Sequence, residues 1–167
     1  MIYFTTFIFT LLLAHNARAV PACGDVASPQ GLYDMYDDEQ LVFAGDNVTW
    51  DAMYDNPNGN TNSVVCGNGP HGLAAKYPHF HDFPNFPYLG GAFNVKWGSS
   101  NCGECWKLTD TKTHKFIYLT AIDTSKRGFG LVISKHAFMA LSGGPVLPPT
   151  LEVESVPVPR HFCGFKS

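Results

Sequence analysis

The residues of this 167-residue chain that could do chemistry are few, and their spacing limits what that chemistry can be. After Val48 the acids are Asp51, Asp55, Asp82, Glu104, Asp110, Asp123, Glu152 and Glu154. Hydrolysis of a glycosidic bond normally takes two carboxyl groups about 5 to 10 Å apart, one to protonate the leaving oxygen and one to act as base or nucleophile. Only Asp123 has a position that marks it out. It ends the apolar run Phe116-Ile117-Tyr118-Leu119-Thr120-Ala121-Ile122, where a buried strand would emerge. A carboxylate there either caps the turn that follows or works in a groove. Asp82 and Glu104 are the candidates for a second carboxylate, although no spacing demands either. His79 and His81 would face the same way in an extended chain, but no third ligand stands at metal spacing, so no metal site is expected.

Cysteine is the other reactive type. Cys102-Gly103-Glu104-Cys105 has the spacing of a redox pair, yet no parallel βαβ pattern surrounds it. A zinc site would need a second close pair of ligands, which the chain lacks. With Cys66 and Cys163 these cysteines form a set of four that allows three pairings. Pairings that join each of the middle two to a distant partner would close loops of tens of residues. Each such loop contributes on the order of 3 to 4 kcal/mol in the chain-entropy picture. Cys23 is left over, as a free or intermolecular thiol or as part of a segment removed later.

The elements that would position these residues follow an apolar leader. Met1 to Leu13 is almost wholly apolar residues and threonine, and Ala17 and Ala19 stand at the small-residue positions before a cut. This reads as a secretory signal peptide over residues 1–19, too short to span a bilayer, which takes about 20 apolar residues. Secretion places the cysteines in an oxidising compartment. Residues 20–47 carry Asp25, Asp34, Asp37, Asp38, Glu39 and Asp46 with no lysine or arginine, and read as an acidic flexible extension or pro-segment. Residues 48–167 carry ten basic and eight acidic residues in no basic run, which argues against nucleic acid as a partner. No later stretch is apolar enough for a membrane anchor. Asn47-Val48-Thr49 is an acceptor for N-glycosylation at Asn47.

The globular domain is expected over 48–167. Strands are predicted at 48–54, 63–66, 106–109, 116–122, 128–133 and 151–154. Gly72 to Tyr77 suits one helical turn, and Ser134 caps a short helix over 135–141 with Gly143 past its end. Pro157 and Pro159 confine any continuation of the last strand to an edge. Tyr77 to Gly91 reads as a loop too rich in aromatic rings to be freely solvated. Short strands, one small helix and turns between them imply one mainly β domain, most simply a barrel.

Several motifs then fall in order: Cys66-Gly67-Asn68-Gly69-Pro70-His71-Gly72-Leu73, Tyr77-Pro78, Phe86-Pro87-Tyr88-Leu89-Gly90-Gly91, Cys102-Gly103-Glu104-Cys105-Trp106-Lys107, Asp123, Gly128-Phe129 and Ala137-Phe138. From about Val48 to Cys163 they closely resemble the cerato-platanin family of small secreted fungal proteins. The resemblance implies a six-stranded double-ψ β-barrel with one or two short helices and the disulfides Cys66–Cys102 and Cys105–Cys163. It also implies expansin-like loosening of cellulose without hydrolysis, binding of chitin-type oligosaccharides, and action on plants as a phytotoxin or defence elicitor. Asp123 matches the family's groove aspartate. The chain departs from the pattern at Pro70 and at Gly98, where the family usually has Asp, and in its acidic extension with Cys23.

The expectation is therefore a secreted, non-catalytic protein of the cell wall or extracellular space, without cofactor. Its partners would be chitin or cellulose oligosaccharides, in fungal or plant cell wall, and a plant receptor. Asp123 would accept hydrogen bonds from sugar hydroxyls, Asn68 and His71 would shape the same groove, and Tyr77 and Tyr88 would stack on sugar faces. The alternatives are a weak endoglucanase-like glycosidase and a surface-active or receptor-recognised effector whose groove is incidental.

Overall fold

A computed structural model of the chain describes residues 43–125, 130–144 and 146–166. The expected signal peptide, residues 20–42 of the acidic segment with Cys23, and Gly128-Phe129 lie outside the described residues. Six strands are formed by β1 (Phe43–Trp50), β2 (Leu89–Ala92), β3 (Glu104–Asp110), β4 (Phe116–Thr124), β5 (Leu131–Ile133) and β6 (Leu151–Val158), with one α-helix, α1 (Lys135–Ser142). They close into a double-ψ barrel in the order β1-β5-β2-β4-β3-β6. The pairs β1·β5 and β2·β4 are parallel and the remaining four are antiparallel.

Alternation along the strands fills the interior. Val48, Trp106, Leu108, Leu119, Leu131, Ile133 and Val153 point inward, and Phe138 and Leu141 of α1 close one end. A second cluster, built from Tyr54, Val64, Phe80, Phe83, Leu89 and Ile122, packs the loops against the barrel. The bond Cys66–Cys102 ties the loop at Cys66 to the turn ahead of β3, and Cys105–Cys163 ties the C-terminal segment to β3 itself, in the pairing the resemblance implied.

Helix α1 forms as expected. The Ser134 hydroxyl accepts from Ala137 N–H (3.1 Å), and Gly143 ends the helix in the left-handed region (φ 70°). An added cap comes from far upstream: the Asp55 carboxylate accepts from Lys135 N–H (2.7 Å) and His136 N–H (3.0 Å). A negative charge against the first turn also suits the helix dipole.

The structure corrects three of the expected elements. The first strand begins at Phe43, ahead of Val48, and stops at Trp50. The apolar-polar alternation runs on to Tyr54, but the Asp51 side chain accepts from Met53 N–H (2.9 Å) and starts the 3-10 turn Ala52–Asp55 instead. In place of a strand over 63–66, Asn60 accepts from Asn62 N–H (2.9 Å) and caps the 3-10 turn Thr61–Ser63. Leu89 to Gly91, expected as the end of a loop, belong to the fully buried strand Leu89–Ala92 between β4 and β5. Its glycines are there for space: a Cβ on Gly90 would lie 2.4 Å from the Val132 carbonyl oxygen, and one on Gly91 2.7 Å from that of Thr124. Pro157 lies beyond the β1 register, which reaches Ser155 of β6, and sits opposite Trp106 of β3.

Candidate functional site

The position of Asp123 is set by a bulge. β2 pairs Gly90 with Ala121 and then Gly91 with Asp123, so Ile122 is left out of that ladder. The Ile122 side chain is buried, and its carbonyl accepts instead from Cys66 N–H (3.1 Å). An extra residue at a strand end turns the next side chain, and here that side chain is Asp123.

Three donors then fix the carboxylate. Oδ1 accepts from Val65 N–H (3.1 Å) and Thr124 N–H (2.8 Å), and Oδ2 from the Tyr54 hydroxyl (3.1 Å). Tyr54 is itself buried, on the 3-10 turn that Asp55 ties to α1. Burial, then the charge of Asp123 and the hydrogen bond to it, then the charge of Asp51, push the Tyr54 hydroxyl far above the usual tyrosine range. At neutral pH it is a donor only toward Asp123. The turn expected of Asp123 and a groove role are thus combined, since one oxygen serves the backbone of the turn while the carboxylate lines a cavity.

That cavity, of about 700 Å³, is lined by Asn47, Thr49 and Asp51, Met53 and Tyr54, Asp123 and Thr124, Val132, and Thr150. The two-residue period of β1 sets Asn47, Thr49 and Asp51 on one face while Val48 points into the core. Thr49 pairs with Val132 of β5, whose neighbours Leu131 and Ile133 face inward. The wall therefore offers carboxylates, hydroxyls and one amide, with apolar patches at Met53 and Val132. A small number of placed polar groups on a partly apolar wall suits a polyhydroxylated ligand.

Among the described residues no lysine, histidine or cysteine lines the cavity, and none belongs to a cluster of three metal-ligating side chains. The carboxylates among the described lining residues are Asp51 and Asp123. Asp51 spends Oδ1 on Met53 N–H. A proton on Asp123 Oδ1 would meet two N–H donors, and one on Oδ2 would meet the Tyr54 hydroxyl. Both carboxylates are built to accept hydrogen bonds.

The other expected groove residues stand elsewhere, which corrects the grouping. Asn68 is exposed in a separate shallow depression with Asn62, Gly67 and Gly72, and His71 is exposed on the same loop. Val65, ahead of the disulfide at Cys66, is the part of this segment that reaches Asp123. The Tyr77 ring is stacked on Phe83 (4.8 Å) and set edge-on to Phe165 (5.7 Å), so it packs the second cluster. Tyr88 packs against the barrel core. Of the acids considered as a second carboxylate, Asp82 accepts from His79 N–H (2.7 Å) and Glu104 from the Asn94 amide (2.7 Å); neither lines the cavity. Asp51 does. The rings of His79 and His81 stack 5.5 Å apart beside Asp82. Asn47 is exposed, and it lines the Asp123 cavity. The alternation about Val48 carried a signal for Asn47, Thr49 and Asp51, whereas Tyr54 lies 69 residues from its partner and carried none.

Comparison with known proteins places these features in a group. The sequence profile of the cerato-platanin family matches residues 47–147. The heat-stable 19 kDa antigen of Coccidioides posadasii is 37% identical over 122 residues, which cover 71% of this chain and 81% of the antigen. The crystal structure of cerato-platanin 1 from M. perniciosa superposes with a TM-score of 0.64 at 35% identity, over 70% of this chain and 98% of that one. The solution structure of the fungal elicitor cerato-platanin gives a TM-score of 0.63 at 31% identity, over 70% of this chain and 95% of that one.

Proposed function

The chain belongs to the cerato-platanin family, and from that premise we propose that it is a secreted protein of the extracellular space or cell wall that binds polysaccharide without cutting it. Its ligands are cellulose or chitin-type chains, and its action on cellulose is expansin-like loosening. The observation that carries this reading is the Asp123 carboxylate, held by three hydrogen bonds on the wall of an open cavity. Sugar hydroxyls donate to Asp123 and Asp51, and the hydroxyls of Thr49, Thr124 and Thr150 and the amide of Asn47 complete the set. Each bond made to the protein replaces one between polysaccharide chains, so cohesion falls with no covalent step. A bond to a charged acceptor contributes about 1.5 to 3 kcal/mol, enough to compete with one between neutral hydroxyls.

The likeness to a fungal elicitor supports a further role as a signal to plants. In that role the exposed surface is read by a host receptor, with or without a glycan in the cavity.

The test is a titration of the full chain with cellulose and chitin oligosaccharides, followed through Trp50, which adjoins Asp51. It is paired with creep measurements on cellulose. Asp123→Asn keeps the shape of the side chain and places an amide where Oδ1 or Oδ2 accepts. Saturable binding and loosening, both lost in Asp123→Asn with a near-native melting curve, are the expected result. Full loosening by that variant would sink the role of Asp123, and new reducing ends on insoluble substrate would replace the reading with a glycosidase.

A further inference from the structure

A second surface surrounds the 3-10 turn Arg160–Cys163, which the Cys105–Cys163 disulfide ties to β3. On one side of the turn lies a cavity of about 330 Å³ lined by Lys76, Arg160, His161, Phe165 and Lys166. No carboxylate among the described residues lines it. Among the described residues no lysine or arginine forms an ion pair with an aspartate or glutamate, since each of the ion pairs found has a histidine as its cation. Arg160 donates from Nη2 to the carbonyls of Ser100 (3.2 Å) and Cys102 (2.8 Å). Its guanidinium is therefore fixed, and among the described residues its charge has no counter-charge. Cations gathered without an anion repel one another, and an anionic ligand relieves that repulsion.

On the other side of the turn aromatic rings stand in water. Phe162 stacks on Tyr118 (5.1 Å), and Tyr118 meets Phe116 edge-on (5.8 Å). Phe116 and Phe162 are 55% and 47% exposed, where rings of this size are ordinarily buried. The His161 ring, 4.4 Å from Phe162, belongs both to this row and to the lining of the cationic cavity. The two features form one continuous surface.

We propose that this surface binds a polysaccharide that carries carboxylates, a polyuronide. The carboxylate of one sugar enters the cationic cavity, and the apolar faces of neighbouring sugars lie along the exposed rings of Phe162 and Phe116. A neutral glucan would leave the cations uncompensated. A nucleic acid needs cations spread along its backbone, whereas here three permanent cations converge on one small cavity of a chain with net charge −3. Among the described residues none lines both this cavity and that of Asp123, so this site stands apart from the proposed neutral-glycan groove.

The test is isothermal titration of the full chain with oligogalacturonate, with a chitin oligosaccharide and polyglutamate as comparisons. Two variants are made, the double Lys76→Glu/Lys166→Glu and Phe162→Ala. Both lysines are exposed, and Arg160 is kept because it braces the backbone. Oligogalacturonate is expected to bind, more weakly as salt rises, and to lose on the order of tenfold or more in affinity in the double variant. Phe162→Ala is expected to weaken it about threefold or more, while Asp123→Asn leaves it unchanged. Polyglutamate, with carboxylates but no sugar ring, is expected to bind at least about tenfold more weakly. Absence of oligogalacturonate binding, equal binding of polyglutamate, or wild-type affinity in the double variant would each overturn the proposal. Melting curves matching wild type establish that the variants are folded.

Discussion

Tyr54→Phe removes one oxygen at the point where the cavity wall is joined to the barrel. The ring is 3% exposed, among Val64, Phe80, Phe83, Leu89 and Ile122, and the substitution leaves that packing in place. What is lost is the donation to Asp123 Oδ2 at 3.1 Å. A hydrogen bond to a charged group contributes about 1.5 to 3 kcal/mol, and the lower end applies because Asp123 is only half buried and keeps two N–H donors. The expected loss at pH 7 is thus about 1.5 kcal/mol.

The pH dependence separates the contribution of the buried hydroxyl from any loss of packing. In the unfolded chain the hydroxyl titrates near its ordinary value of about 10. In the folded protein burial, and then the charge of Asp123, hold the proton well above that. Above pH 10 the folded state therefore binds more protons than the unfolded state, and stability falls as pH rises. The contribution is fully present below that pH. At pH 10.5 the loss is RT ln(1 + 10^0.5), about 0.8 kcal/mol, so the gap between wild type and Tyr54→Phe should shrink to about 0.7 kcal/mol. Urea denaturation of both proteins at pH 7, 9 and 10.5, with disulfides intact, measures the gap, and the other tyrosines cancel in the difference. A gap that stays constant with pH would refute the buried Tyr54–Asp123 pair.

Asp55→Ala should lower stability by about 1 to 2 kcal/mol in a denaturation experiment, because two helix N–H groups lose their acceptor. An unchanged midpoint would mean that the long-range cap is idle. Removing the Cys66–Cys102 pair, whose members lie 36 residues apart, should cost about 4 kcal/mol, and removing Cys105–Cys163, 58 apart, slightly more; equal stability of oxidised and double-alanine proteins would contradict this. Asn47 lines the cavity, so protein glycosylated there should bind oligosaccharide more weakly than Asn47→Gln. Equal binding of the two would place the glycan outside the cavity.

The barrel was legible wherever one residue type had one physical use. Ser134 and Gly143 bound α1, and the apolar run from Phe116 became the central strand β4. It failed where a residue type has two uses. Gly90-Gly91 has the composition of a turn, and only the approach of the Val132 and Thr124 carbonyls explains the glycines as strand residues. Asp51 continues an alternating pattern until its side chain captures Met53 N–H, an alternative that local pattern does not rank. The site was read in the same partial way. Asp123 stands out because it ends a buried strand, whereas its partners Tyr54 and Val65 come from segments 69 and 58 residues away. Tyr77 has a ring suited to a sugar, and Phe83 and Phe165 occupy its faces instead.

Asp123 has two roles that use the same atoms. Its oxygens hold Val65, Thr124 and Tyr54 in place, and lone pairs that remain are what a sugar hydroxyl would meet. Val65 adjoins the disulfide-bonded Cys66, and Tyr54 adjoins Asp55, which caps α1, so the carboxylate joins three otherwise separate parts of the chain. Such a group is held rigid before any ligand arrives, and a ligand that binds it pays little further ordering entropy. The same coupling means that Asp123→Ala would leave Val65 N–H and the Tyr54 hydroxyl without an acceptor, at about 1 to 3 kcal/mol for each buried donor. Loss of activity in an alanine variant would then mix a missing ligand contact with a loosened wall. Comparing Asp123→Asn with Tyr54→Phe separates the two effects, because Tyr54→Phe loosens the wall while leaving the carboxylate for the sugar.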